Sequence, residues 1–335
     1  MEAQEELQVD LSTESLLEMY WLMVLSRRLD ERTWILHRQG KIAFHISAIG
    51  HEAAQVGAAM ALRKGDDWVA PYYRDLAMMI ALGFTPKDFM LGVMGKKGDP
   101  NSGGRQMPSH WSMRRLNVIS HSSVVGTQAV HAAGIGFAMK LRGDDAVVLS
   151  SIGEGSTSQG EWYEAVNWAA IHQLPVIFMV ENNLYAISVR QEKQMAVEKV
   201  ADKAAGLGLP GVTVDGLDAI SVHQAVSEAA ERARSGDGPT IVETMVNRMT
   251  PHSSDDDDRS YRPREELEAQ KAQDPVHLQR DKLLAAGILT EEAENELQER
   301  AKTEVEQAVE YATEAPYPDI SEASYPVYAE DRVDD

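Results

Sequence analysis

The chain contains no cysteine. That excludes disulfides, thiolate nucleophiles and cysteine-ligated metals together, and it fits a reducing compartment. Basic residues are outnumbered, 32 against 53 acidic, for a formal charge of −21. Nucleic acid and anionic membrane are therefore poor main partners. Much of the excess lies at the ends, Glu2 to Asp10 and Glu291 to Asp335, and reads as solvated faces. No apolar run approaches the roughly 18 residues of a membrane span, and the acidic N-terminus lacks a signal-peptide pattern. A soluble, cytoplasmic protein is expected. No internal repeat is evident. With 335 residues, 43% hydrophobic and 25% charged, the chain can build one large α/β core or two modest domains.

Apolar spacing organises what is there. Leu16, Leu17, Tyr20, Trp21, Val24 and Leu25 recur at helical intervals, and Gly40 is placed to stop that helix. An alanine-rich helix follows over Glu52 to Leu62. Residues 92–117 hold five glycines and two prolines and read as a long loop. In 127–141, Ala129, Ala132, Ala133, Gly136 and Ala138 give a narrow helix face suited to packing on a sheet. Strand-like runs at 146–151, 175–181, 212–215 and 240–246 then alternate with helices near Gly160–His172 and Ala219–Arg234. This is the rhythm of a parallel α/β sheet. From about Arg264 the pattern is helical.

One stretch carries chemistry. "VLSSIGEGSTSQGEW" opens as strand and glycine turn, and "ENNLYAIS" closes the next strand. Glu154 and Asn183 are 29 residues apart, one βαβ unit, so both fall at carboxyl ends of strands, roughly 5 Å apart if the strands are neighbours. An acid where a helix N-terminus would hold an anion is a conflict, and a hard divalent cation resolves it. Mg²⁺ takes one or two protein oxygens and completes its shell with phosphate and water. A dinucleotide fingerprint needs a glycine at Ser158, which disfavours an NAD-type dehydrogenase, and no Walker lysine is present. A plain acidic turn beside an Asn-Asn turn stays as the bland alternative; turn, spacing and Asn pair together favour the metal–diphosphate reading.

The stretch resembles the thiamin diphosphate motif, with glutamate for aspartate. From residue 12 to about 330 the chain resembles the α subunit of heterotetrameric 2-oxoacid dehydrogenases. "YYRD" (72–75), "GGRQMPSH" (103–110), "SSVVGTQAVHAAG" (122–134) and "RMTPHSSDDDDRSYR" (248–262) carry the likeness. "GRQMP" and Glu154 look more like the branched-chain (2-oxoisovalerate) type than the pyruvate type, which is the alternative. A non-catalytic scaffold is the alternative of another class, disfavoured by the intact ligands. The resemblance implies a doubly wound parallel α/β sheet of the thiamin diphosphate-binding fold with helical extensions: 1–45 helical, 46–262 the cofactor-binding domain, 263–335 helices and tail.

It also implies roles. Mg²⁺ would be held by Glu154, Asn183 and the carbonyl of Tyr185. Tyr73 and Arg74 would reach the diphosphate, Gly155 and Ser156 would form its turn, and Ser123, Val125 and Ile187 would line the aminopyrimidine. Ser122, Val124, Thr127 and Gln128 match a K⁺ loop of some relatives. His252 matches the active-site histidine, a base expected to titrate near neutrality. The four aspartates 255–258 read as a solvated loop, and Ser253 matches a phosphorylation site of animal relatives. Glu181 stands where some relatives carry a diphosphate arginine, for which Arg248 or a partner residue would substitute. The implied partners are a β subunit in an α2β2 assembly, supplying the pyrimidine glutamate missing here, and a lipoyl-bearing acyltransferase that accepts the acyl group. The β subunit is expected to cover the Gly- and Ala-rich faces near 50–60 and 129–138. The substrate would be a small 2-oxoacid.

Overall fold

A computed structural model describes residues 11–324; the acidic N-terminal stretch 2–10 and the tail beyond 324 lie outside them. The first helix, α1 (Thr13–Arg38), starts where the Ser12 side chain accepts from Ser15 N–H, and it ends just before Gly40 at φ 70°. Next come α2 (Glu52–Met60), β1 (Trp68–Ala70), α3 (Leu76–Leu82) and α4 (Pro86–Val93). A capping box between Thr85 and Asp88 with Pro86 at the first turn fixes the start of α4. Residues 94–126 are irregular apart from one 3-10 turn and two isolated bridges. That matches the glycine-rich loop expected there.

The α/β core follows: α5 (Thr127–Arg142), β2 (Val148–Gly153), α6 (Gly160–Ile171) and β3 (Val176–Asn182). A small hairpin, β4 (Tyr185–Ala186) and β5 (Val189–Arg190), leads to α7 (Lys203–Leu207), β6 (Gly211–Asp215), α8 (Ala219–Arg234) and β7 (Thr240–Met245). Three helices close the described chain, α9 (Arg264–Lys271), α10 (Pro275–Ala285) and α11 (Glu291–Glu314). The main sheet runs β1-β2-β3-β7-β6, with every pairing parallel. In it β2 and β3 are direct neighbours, Gly153 opposite Glu181.

Side-chain alternation along the strands decides the layers. Val148, Ile152, Val176, Phe178 and Val180 pack with Ala129, Ala132 and Ala133 of α5 and with Trp162 and Val166 of α6. Leu149, Ile177, Met179 and Val242 face the other way, into a cluster shared with α1, α2, α3, α8 and α11. Each fully buried Leu, Ile or Phe contributes about 1.5–3 kcal/mol. Helices on both faces make the sheet doubly wound, as expected. A Cβ at Gly136 would lie 2.7 Å from Val176 Cγ2, so the alanine face of α5 does sit tightly on the sheet.

One expectation is overturned. Glu52 to Ala59 of α2 are all buried inside this chain, and a Cβ at Gly57 would approach the Ala219 carbonyl to 2.4 Å. That small-residue face packs on α8 and is not available to a partner. On α5 the alanine face is likewise internal, leaving Val130, Gly134 and Leu141 on the exposed side. No helix among the described residues is long and apolar enough to cross a membrane.

Candidate active site

The parallel order brings the ends of β2 and β3 together, and the sequence places Glu154 and Asn183 just past them. They meet: Glu154 Oε2 accepts from Asn183 N–H at 3.4 Å. Glu154 is 1% exposed, yet its Oε1 has no hydrogen-bond partner. Burial raises its pKa above the ordinary carboxylate value. Asn183 Oδ1 accepts from Tyr185 N–H at 3.3 Å, which curls the chain into the β4–β5 hairpin. Leu184 and Ile187 adopt left-handed φ of 69° and 54°, strained for branched side chains. Arg248 holds that bend from behind, donating to the Ile187 carbonyl at 2.8 Å and the Tyr185 carbonyl at 3.5 Å.

Between β2 and α6 the structure corrects one expectation. The chain past Gly153 is a 3-10 turn over Glu154–Ser158, and α6 begins only at Gly160. Glycine is required at 155, because a Cβ there would lie 2.5 Å from Ala186 Cβ. The turn and the hairpin therefore touch.

A cleft of about 350 Å³ opens over these strand ends. Glu154, Gly155, Ser156, Asn183, Tyr185 and Ile187 line it. Tyr73, Arg74, His252, Ser123 and Val125 line it as well. All the residues singled out in the sequence for metal, diphosphate, pyrimidine and catalysis thus border one space. Tyr72, Gly153 and Ala186 border it too and were not singled out. A signal existed for all three, since each directly precedes a residue that was. Among the described residues no cluster of three or more His, Asp and Glu side chains could hold a metal by itself.

Arg74 is 2% exposed, far from a plain surface ion pair. It donates to the Ser47 carbonyl, to His252 Nδ1 at 3.3 Å and to the His252 carbonyl at 3.2 Å. A guanidinium cannot accept, so His252 Nδ1 is the acceptor and Nε2 carries the hydrogen. Burial first, then the Arg74 and Arg248 charges, lower the His252 pKa to about 3. His252 is therefore neutral at neutral pH, which corrects the expectation that it titrates there. The aspartate run after it is not merely solvated. Asp256 accepts from His252 N–H at 2.9 Å and from the Tyr261 hydroxyl, while Asp258 and Ser253 are buried.

Glu181 does not border the cleft. It lies beneath, fully buried, accepting from His51 Nδ1 at 2.5 Å, Gln55 Nε2 at 2.9 Å and the Tyr72 hydroxyl at 3.3 Å. Its Oε1 has no hydrogen-bond partner, and neither has Oδ1 of Asp75, whose Oδ2 accepts from Tyr72 N–H and the Ser151 hydroxyl. Nothing in the sequence pattern announced this group, drawn from four separate segments. Arg248 does not replace the missing arginine on the cleft wall; its guanidinium goes to backbone carbonyls and the Tyr261 hydroxyl. In the loop ahead of α5, Val124 N–H donates to the Ser122 hydroxyl at 3.1 Å. Thr127 opens α5, and the buried Gln128 leaves Oε1 unpartnered.

Comparison with known proteins agrees with this arrangement. Residues 20–321 match the family model described as dehydrogenase E1 component. The 2-oxoisovalerate dehydrogenase subunit alpha of Bacillus subtilis (strain 168) is 51% identical over 287 residues, 86% of this chain and 87% of its own length. The pyruvate dehydrogenase E1 component subunit alpha of Staphylococcus aureus (strain Mu50 / ATCC 700699) is 40% identical over 296 residues, 88% of this chain and 77% of its own. The Staphylococcus epidermidis pyruvate dehydrogenase subunit is 39% identical over the same span. With its doubly wound sheet and strand-end cleft, the chain belongs to the dehydrogenase E1 component family.

Proposed function

We propose that this chain is the α subunit of a branched-chain 2-oxoacid dehydrogenase, binding thiamin diphosphate through Mg²⁺ in the strand-end cleft. The observation that carries the reading is the unpartnered Glu154 Oε1, a buried carboxylate oxygen on the cleft wall. A buried acid without a donor is costly unless a cation or proton neutralises it. Glu154, Asn183 Oδ1 and the Tyr185 carbonyl are hard oxygen donors of the kind Mg²⁺ accepts, with the remaining positions left to phosphate and water. When bound, thiamin diphosphate supplies the electron sink for loss of CO₂ from a 2-oxoacid. The protein's part is binding, shielding and proton handling. Arg74 and Tyr73 face the diphosphate end; the Arg74 fork suits phosphate oxygens. Neutral His252, its Nδ1 taken by Arg74, has Nε2–H left as a donor, and Ser123, Val125 and Ile187 border the same cleft.

The branched-chain assignment rests on the 51% identity to the Bacillus subtilis subunit, with pyruvate as the second reading on the 40% relative. The α/β core of residues 46–262 carries the cleft in this proposal, and the helices on either side are its extensions. A β subunit in an α2β2 assembly supplies the pyrimidine glutamate, and a lipoyl-bearing acyltransferase takes the acyl group, in a cytoplasmic complex. The unpartnered Gln128 Oε1 suits a K⁺ at the Ser122–Gln128 loop. Steady-state decarboxylation of 2-oxoisovalerate and of pyruvate by the α chain with its β partner tests the proposal. The branched acid is expected to react with the higher kcat/KM, and the isolated chain to show negligible turnover. Preference for pyruvate selects the second reading, and turnover without the β subunit refutes the divided site.

A further inference from the structure

Next to Ser123 a second imidazole is held in place. His110 Nε2 is hydrogen-bonded to the Ser123 hydroxyl, and His110 Nδ1 lies 3.2 Å from the Pro108 carbonyl. A carbonyl oxygen only accepts, so Nδ1 carries the hydrogen. Nε2 of the neutral ring is then an acceptor, and the Ser123 hydroxyl donates to it. This is the order of a serine–histidine dyad: hydroxyl, imidazole, and a third group orienting the far nitrogen. Here the orienting group is a backbone carbonyl.

Its setting is firm on one side and open on the other. Ser109 takes a left-handed φ of 64° just before His110. Trp111 just after is buried, stacks on Phe89 and donates Nε1–H to the Tyr72 carbonyl at 3.0 Å. The His110 ring meets His121 edge-on at 5.0 Å, and His121 is itself tied to the Pro71 carbonyl. Backbone strain, a buried indole and a neighbouring ring thus fix where His110 points. Ser123, by contrast, borders the cleft, beside Val125.

We propose that Ser123 and His110 form a second proton-accepting pair of this active site, Ser123 touching the bound cofactor or substrate and His110 positioning it. The proposal rests on the assignment of this cleft to thiamin diphosphate. The step balances within the pair. A proton leaves the ligand for Ser123 Oγ as the original O–H proton passes to His110 Nε2, and the imidazolium keeps its Nδ1–H on the Pro108 carbonyl. Reversal returns the proton to the ligand. The pair and neutral His252 then divide the work: the pair accepts a proton while His252 presents a donor. The cleft needs both, because decarboxylation followed by acyl transfer moves protons onto and off the reacting groups in succession.

Two measurements test this. In the reconstituted α/β complex with Mg²⁺ and 2-oxoisovalerate, Ser123→Ala and His110→Gln are each expected to lower kcat about 10²-fold, the lower end for a positioned proton transfer. KM and the calorimetric Kd for thiamin diphosphate are expected to stay unchanged. The double variant should fall no further than either single one, as groups acting as a unit do. Losses that multiply, or a Kd that weakens in step with kcat, would overturn the proposal in favour of a structural role. Independently of any activity, ¹⁵N NMR of the isolated chain is expected to show His110 protonated at Nδ1, with an Nε2 resonance that shifts in Ser123→Ala. A proton on Nε2, or no shift, sinks the pair. Wild-type complex that failed to bind thiamin diphosphate would instead overturn the cofactor assignment, and with it the role of the pair.

Discussion

Glu154 and Glu181 stand on neighbouring strand ends and are equally deep, but the protein treats them oppositely. Around Glu181 it has gathered an imidazole, an amide, a phenol and a second carboxyl. Both acids leave Oε1 without a hydrogen-bond partner, but Glu154 Oε2 receives only one long backbone N–H bond, and only Glu154 borders the cleft. Burial raises both pKa values, Glu181 to about 7. A buried carboxylate must be neutralised by something, and the nature of that neutraliser separates architecture from function. Glu181 Oε2 is filled by three donors of the chain, which tie it to the floor around Tyr72 and Gln55. Glu154 is left for a ligand from outside.

The largest expected effect breaks the open half of this comparison. Glu154→Ala should weaken thiamin diphosphate binding by at least about 100-fold, beyond the range for groups that only support a metal ligand, and should abolish its dependence on Mg²⁺. Calorimetry with and without Mg²⁺ measures this. Equal affinity for wild type in the two conditions would show that Glu154 is neutralised in some other way. On the same cleft, His252→Ala should slow reductive acylation of lipoate about 10²-fold while the cofactor stays bound. His252 sits in a loop and contributes little core packing, so a variant that failed to fold or to pair with the β subunit would mark it as structural.

The reciprocal experiment is smaller and concerns stability without ligand. Glu181→Ala strips the acceptor from His51, Gln55 and Tyr72 at once. Each buried donor left unpaired costs about 1–3 kcal/mol, so a loss of roughly 3 kcal/mol or more is expected in urea unfolding. Glu154→Ala removes only one long bond and should cost about 1 kcal/mol or less. Similar losses for the two would erase the distinction between a completed acid and an open one.

How these two acids read in the sequence follows from what sequence patterns encode. Strand alternation and helical spacing are local, so β2, α6, β3, α8 and β7 were legible nearly to their ends. The metal turn was legible because its parts fall at both ends of a single βαβ unit, and the parallel pairing of β2 with β3 brings them together. The network around Glu181 was not legible. His51, Gln55, Tyr72, Asp75 and Ser151 come from α2, a turn and a neighbouring strand, and no period links them. Glu181 therefore read as a missing arginine when it is a filled floor. The burial of α2 was missed for a similar reason: an alanine-rich face says that something packs closely on it, not whether that something is α8 or another chain. His252 was legible as a site residue but not in its charge, which burial sets first, then Arg74 from far along the chain and Arg248.

The last expected effect is the pH dependence of stability, and its sign follows from Glu181. Burial lifts its pKa from the ordinary 4.5 to about 7. Between those values the folded chain keeps a proton that the unfolded chain has released. Stability must therefore fall as pH rises through that window, and the contribution is fully present only below the unfolded value. The side-chain interactions with Asp75, Gln55 and Tyr72 favour the charged form and hold the shift below what burial alone would give, so the window is narrower than burial alone would make it. Glu181→Gln cannot titrate and should flatten it. Urea midpoints of the ligand-free chain at about pH 5 and about pH 7.5 make the comparison, with wild type losing more than the variant between them. A wild-type midpoint that rises with pH relative to the variant would mean that Glu181 is charged throughout, and that its ring of donors outweighs its burial.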